Sequence, residues 1–192
     1  MYAVMLDACV MVPNALCDTM LRLAERGFYR PLWSQRILDE VKLAILKVHP
    51  EIGEARVVAR IAAMCGAFED ALVVGWEQTC AGLDLPDPDD RHVLAAAIKG
   101  GAQSLVTFNL KDFPDGRLAA TDVEVVHPDE FLLDQLDLYP GLALQVLNEQ
   151  AADLTNPSSD LAGVLNRLAR CGVPRFADEV RRLPGVSAAA CS

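Results

Sequence analysis

Carboxylates are the side chains of this sequence best placed to do chemistry. Asp7 interrupts the apolar run Ala3 to Val12 (AVMLDACVMV), where an ionised group is costly unless it is paired or holds a metal. Glu40 shares a helix face with Ile37, Val41 and Ala44 at three- or four-residue spacing, whereas Asp39 points about 100° away, into solvent. Four acids, Asp84, Asp87, Asp89 and Asp90, fall within seven residues around LPDPDD. Helix capping accounts for one of them, not for four. Further on, TFNLKDFP puts Asn109 and Asp112 into a turn. Carboxylates gathered at one point repel each other, and a hard divalent cation relieves that repulsion most directly. Oxygen-only ligands select Mg²⁺ or Mn²⁺ over zinc. A pair of such ions about 4 Å apart activates a water and stabilises the leaving oxygen in phosphodiester cleavage.

These acids need a scaffold. Ala3 to Val12 reads as a buried strand closed by Pro13 and Asn14. Ala15 to Arg26 has helical spacing through Leu16, Met20, Leu21 and Leu23, with Gly27 to end it. Ser34 is a candidate N-cap for a helix carrying Ile37, Leu38, Val41, Ala44 and Ile45, and a third helix runs from Glu51 to near Met64. Beyond a short apolar stretch, Ala71 to Val74, an Ala-rich helix spans Val93 to Ile98 and stops at Gly100 and Gly101. Ser104 to Thr107 and Val123 to Val126 read as strands, and Pro128 and Asp129 open a helix through Leu136. Strands alternating with helices predict an α/β fold, a three-layer sandwich around a central parallel sheet, over residues 1–135. In such sheets ligands gather outside the carboxyl ends of the strands, which is where these acids are expected. From Tyr139 the pattern is helical only, giving a helical extension over 139–185 and a flexible tail, VSAAACS, over 186–192.

Composition limits the function classes. The chain has 192 residues, 52% of them hydrophobic, so it buries a core and is not disordered. No apolar run approaches the roughly 20 residues of a spanning helix, and the N-terminus lacks the basic region of a signal peptide, so a cytoplasmic protein with no membrane partner is expected. With 17 Lys and Arg against 27 Asp and Glu, the net charge of −10 argues against gripping a polyanion by bulk field. Cations captured by the acids would invert that field locally. Six cysteines without a CxxC pair read as reduced thiols, and His49, His92 and His127 read as isolated.

Three stretches, VMLDACV, SQRILDEV and DPDDRHVLAAAIKGGAQSLVTFNLKDFP (residues 87–114), resemble the PIN-domain nucleases, in particular the VapC-type toxins of prokaryotic toxin–antitoxin systems. The resemblance covers roughly residues 1–135, and similar C-terminal helical extensions occur on some VapC-like proteins. It implies that Asp7, Glu40 and Asp90 are the first, second and third acids, catalytic and metal-ligating. The fourth position falls on Asn109, where many members have Asp, and Asp112 three residues on either takes over that role or caps the turn. Cys9 stands where a polar residue often follows the first acid. Asp87 is a candidate outer ligand, Asp89 a cap, and Thr107 a partner for a carboxylate or a phosphate, or else a hydroxyl satisfied by backbone. Arg91, Lys99 and Lys111 are candidate RNA contacts, with Arg30 and Arg36 near the second acid.

The activity so implied is that of an endoribonuclease using Mg²⁺, or Mn²⁺, and water attack to leave 3′-hydroxyl and 5′-phosphate ends. Its partners would be an RNA substrate, a small antitoxin protein and a second copy of the chain. The rival reading is a catalytically idle PIN-fold binding module acting through protein association, which the Cys9 and Asn109 departures favour. A DNA-directed nuclease would share the acids. Haloacid-dehalogenase-like phosphatases require an Asp where Cys9 stands, and receiver domains require a central Asp on a later strand that this sequence lacks.

Overall fold

The computed structural model describes residues 2–118, 121–154, 159–184 and 186. Five short strands, β1 (Ala3–Leu6), β2 (Arg30–Ser34), β3 (Leu72–Val73), β4 (Ser104–Val106) and β5 (Glu124–Val126), form one parallel sheet in the order β3-β2-β1-β4-β5. Val4 lies opposite Pro31 on one side and Ser104 on the other, and Met5 opposite Leu32 and Leu105. The helices are α1 (Ala8–Met11), α2 (Asn14–Glu25), α3 (Gln35–Val48), α4 (Glu54–Ala67), α5 (Glu77–Cys80), α6 (Arg91–Gly100), α7 (Asp115–Leu118), α8 (Pro128–Leu138), α9 (Pro140–Asp153), α10 (Leu161–Arg170) and α11 (Pro174–Arg182). Helices flank the parallel sheet, and among the described residues only helices follow β5, as the sequence pattern predicts. No helix of the described residues is long and apolar enough to cross a membrane.

Two strands differ from expectation. The first apolar run is not one strand to Val12: β1 ends at Leu6, Asp7 takes an extended conformation at its end, and α1 follows at once. Both pieces bury apolar side chains, Val4 and Met5 on the strand and Val10 and Met11 on the helical turn, so hydrophobicity alone does not mark the change. Asp7 therefore sits at a strand end and not within a strand. The second difference is β2 itself, whose sequence RPLWS contains a proline and carries no strand signal. Arg30 directs its N–H to the Tyr2 carbonyl, so the next residue, Pro31, faces the opposite side of the sheet. There β3 does not begin until Leu72 pairs with Trp33, and the missing N–H of Pro31 leaves no ladder bond unmade.

Gly100 and Gly101 end α6 for separate reasons. Gly101 adopts the left-handed conformation of a C-cap, φ 67°. At Gly100 a Cβ would lie 2.8 Å from Val73 Cγ2 and 2.9 Å from Leu32 Cδ1, so the last turn of α6 needs glycine to approach β2 and β3.

Contacts divide the chain into two compact units. One comprises Met1–Val12 and Tyr29–His127, and the other Pro13–Phe28 with the chain from Pro128 onward. This partition differs from the expected division after residue 135, because α2 packs on α9 and α10, and α8 packs on α11 and α9. The apolar stripe of α2, Leu16, Met20 and Leu23, is buried at 0–1% exposure, and that of α3, Ile37, Val41 and Ile45, at 0–2%. Within the second unit, Asp129 of α8 caps α11, its two carboxylate oxygens accepting the N–H of Arg175 at 3.1 Å and of Phe176 at 2.8 Å. Asp160 caps α10 through the Gly163 N–H at 2.8 Å. Apart from Val186, the expected tail 186–192 lies outside the described residues.

Candidate functional site

The order of the sheet reverses between β1 and β4, which are neighbours although their chains continue to opposite sides. A crevice outside the carboxyl ends of such a strand pair is the usual ligand position in an open α/β sheet. Asp7 follows β1 and Thr107 follows β4, so both stand there. The Asp7 N–H donates to the Val106 carbonyl at 3.1 Å and fixes the backbone across the switch. Its side chain, in a residue only 8% exposed, accepts the Thr107 hydroxyl at 2.6 Å and the Cys9 thiol at 3.0 Å, both on Oδ2. No donor among the described residues takes Oδ1. Of the readings open for Thr107, the structure shows the carboxylate partner. Its Oγ1 also accepts the Asn109 N–H at 3.1 Å, which anchors the turn carrying Asp112.

Cys9 keeps its proton. Burial first, then the charge of Asp7 and the hydrogen bond to it, push the thiol up to about 12. A protonated thiol donates to Asp7 and accepts the Phe108 N–H at 3.3 Å, so it does the work of a weak hydroxyl and is not a soft metal ligand.

Asp90 is the electrostatic centre. It occupies the N-cap position of α6 without making a side-chain capping bond. Burial, followed by the negative charges of Asp112, Asp7 and Asp87, raises its carboxyl to about 6, against only a small opposing effect of His92. Three of the other predicted acids therefore act on Asp90 through space, and a positive charge is what the group lacks. The capping expected of Asp89 falls instead on Asp87, whose Oδ1 accepts the Asp89 N–H at 2.8 Å. Asp84 is drawn away into an ion pair with Arg117.

Glu40 is not among the acids whose charges act on Asp90, and its link to that group runs through His92. Its Oε1 accepts His92 Nε2 at 2.9 Å and Arg36 Nε at 3.3 Å, leaving Oε2 without a donor among the described residues. Burial raises its carboxyl, but the bonds and charges of His92 and Arg36 outweigh that and hold it below the usual range. Glu40 and Asp7 thus share a pattern, with donors crowded onto one oxygen and the other left open. The described residues contain no group of three or more His, Cys, Asp or Glu side chains already closed at ligand spacing. What the acids present is an all-oxygen donor set with unclaimed lone pairs and uncompensated charge, which fits a hard divalent cation.

The candidate cations divide. Arg91 follows Asp90 directly, and its Nε is buried with no partner among the described residues. Lys111 is exposed in the turn beside Asp112. Arg36 is engaged by Glu40 and stands 3.8 Å from Asp89. Lys99 and Arg30 do not join the carboxylates. Lys99 lies nine residues along α6 from Asp90, roughly 13 Å by helical rise, and Arg30 starts β2 at the strand's amino end, reaching the Gly100 carbonyl at 3.5 Å.

Residues 3–111 match the family model described as PIN domain, and residues 128–182 match a second one described as VapC50 C-terminal domain. This chain belongs to the PIN-domain family. A relative from Mycobacterium tuberculosis, "Putative ribonuclease VapC50", is 37% identical over 134 residues, which cover 70% of this chain and 78% of the relative. No solved structure matches the chain. The PIN-domain match carries Asp7, Glu40, Asp90 and Asn109 and stops one residue short of Asp112. The second match begins at Pro128, where the chain re-enters its second compact unit, so the helical extension is a recurring module and not an irregular appendage.

Set on the PIN domain, the site holds one residue that sequence reasoning missed. His92 reads as isolated because its partner Glu40 is far away in sequence; in the fold it is 2% exposed and bonded to Glu40. The available signal was its place in DDRH, two residues after an acid at a helix start and on the buried side of the helix. The other two histidines also have neighbours, His49 with Glu51 and His127 with the Phe108 ring.

Proposed function

We propose that this chain is a divalent-metal-dependent endoribonuclease that hydrolyses RNA phosphodiester bonds, acting in the cytoplasm as the toxin of a toxin–antitoxin pair. The observation that carries the reading is the convergence of Asp7, Asp90, Asp112 and Asp87 at the sheet's switch point, where burial first, and then the negative charge of the other three, lifts Asp90 to about 6. Membership of the PIN-domain family and the ribonuclease name of the Mycobacterium tuberculosis relative support it.

Asp7, Glu40, Asp90 and Asp112 would hold Mg²⁺ or Mn²⁺, which supplies a water of lowered pKa and neutralises charge on the phosphate. The chain's own residues prepare that site. Thr107 and Cys9 fix the Asp7 carboxylate through one oxygen and leave the other open for a cation. Asp87 and Asn109 hold the two loops that carry Asp90 and Asp112 through their turn bonds. Arg91 and Lys111, which flank the acids, would contact RNA phosphates on either side of the scissile bond.

An inert binding module is disfavoured by the hydrogen bonds of Cys9, because the departure from a common polar residue still leaves Asp7 with a donor. For partners, the concentration of negative charge suits a small antitoxin with a basic tail, and a homodimer is the expected assembly. RNA cleavage in Mg²⁺ tests the activity. We expect loss of cleavage with chelator and with Asp7→Asn or Asp90→Asn, whereas cleavage that survives both changes would overturn the acid-cluster mechanism.

A further inference from the structure

We propose that His92 is a positioning residue that sets Glu40 for cation capture and couples it to Asp90. The inference rests on the divalent-cation reading above and adds to it a residue outside the four acids. His92 is the second residue of α6, two positions beyond the Asp90 cap, and its side chain crosses to Glu40 on α3. It is 2% exposed, and one face of its ring packs near Trp76, with centroids 5.8 Å apart at 53°. Nδ1 is buried and meets no partner among the described residues. The bond from Nε2 to Glu40 Oε1, at 2.9 Å, is thus the only polar contact found for the ring among them. Glu40 is an acceptor, so Nε2 carries the hydrogen.

A buried imidazole with one satisfied nitrogen is a poor core residue, since an apolar side chain would fill the same space without the desolvation cost. Its chemistry makes sense as a constraint on Glu40. Together with Arg36 on the same oxygen, it fixes the carboxylate rotamer and leaves Oε2 open. Because His92 and Asp90 share the first turn of α6, the second and third acids are held through one rigid element.

The test is Mn²⁺ binding by calorimetry on the full chain, with melting temperature and RNA cleavage measured alongside. His92→Phe should weaken Mn²⁺ by roughly tenfold or more, the usual effect of removing a residue that orients a metal ligand. His92→Gln, which can still donate to Glu40, should restore most of the affinity. Cleavage should fall in kcat with KM little changed. On a Glu40→Ala background, His92→Phe should add no further loss, because it acts through Glu40. If the Phe variant melts below the assay temperature, His92→Asn, whose amide is too short to reach Glu40, is read against His92→Gln in its place. Wild-type Mn²⁺ affinity in the donor-less variant, a Gln variant no better than it, or losses that add to Glu40→Ala would overturn the proposal while leaving the nuclease reading intact. A wild-type chain that binds no Mn²⁺ would overturn both.

Discussion

Asp7 and Asp129 are both buried carboxylates, at 8% and 5% exposure, and they have opposite surroundings. Asp129 gives one oxygen to each of two backbone N–H groups at the start of α11, donors that the helix cannot satisfy internally. Asp7 receives two side-chain donors on a single oxygen and adds its charge to a group of acids. Burial is common to both, so burial does not distinguish a structural acid from a functional one. What distinguishes them is whether the lone pairs are spent and whether the neighbouring charge is compensated.

That contrast can be broken by experiment. The largest expected effect is on activity: Asp7→Asn should lower kcat for Mg²⁺-dependent RNA cleavage by at least about 100-fold, consistent with loss of a ligand in metal-assisted hydrolysis, with a melting temperature close to wild type. Asp129→Asn should do the reverse. It leaves one N–H of α11 facing an amide donor, at a cost of about 1–3 kcal/mol, or roughly 3–10 °C in melting temperature, while kcat holds. A variant at Asp129 that loses cleavage without losing stability would erase the distinction. Gly100→Ala serves as a control for packing alone, since its new methyl meets Val73 and Leu32 and should cost about 1–3 kcal/mol without a specific effect on metal binding.

Smaller effects sharpen the comparison. The Asp90 carboxyl is raised in the folded chain from an ordinary 3.8 to about 6, so its protonation favours the fold at low pH, and that stability is lost as pH rises through about 6. In chelator, Asp90→Asn should therefore melt above wild type at pH 7.5, with the gap closing toward pH 4. Added Mg²⁺ should raise the wild-type melting temperature more at pH 7.5 than at pH 5, because protons compete with the cation. Asp129, with its charge met by N–H dipoles, should give no such response to Mg²⁺. Smallest of all, Cys9→Ser keeps a donor to Asp7 and should hold kcat within about threefold, whereas Cys9→Ala removes it and should cost more.

The alternation of strands and helices, the Ser34 cap and the acid positions were legible because each is local: a period, a cap or a charge in an apolar run. β2 was not legible, because Pro31 is tolerated only by the late start of β3, a fact about the neighbouring strand. The allegiance of α2 to the C-terminal helices was hidden for a similar reason, since an apolar stripe names no partner. Within the site, Asp7 and Glu40 stood out by residue type and spacing, whereas Asp90 was singled out from its acidic neighbours only by the resemblance to PIN-domain nucleases. The bond between His92 and Glu40 joins two helices far apart in the chain, and the choice of Asp87 over Asp89 as the turn's cap depends on which carboxylate faces the backbone N–H.

The chemistry of the cut ends tests the central claim most directly. Water attack at the Asp7–Asp90 acid group predicts RNA products with 5′-phosphate and 3′-hydroxyl ends, formed in Mg²⁺ and lost together in chelator, in Asp7→Asn and in Asp90→Asn. Products with 2′,3′-cyclic phosphate and 5′-hydroxyl ends, made equally well in chelator, would mean attack by the RNA's own 2′-hydroxyl without a captured cation, and would contradict the account.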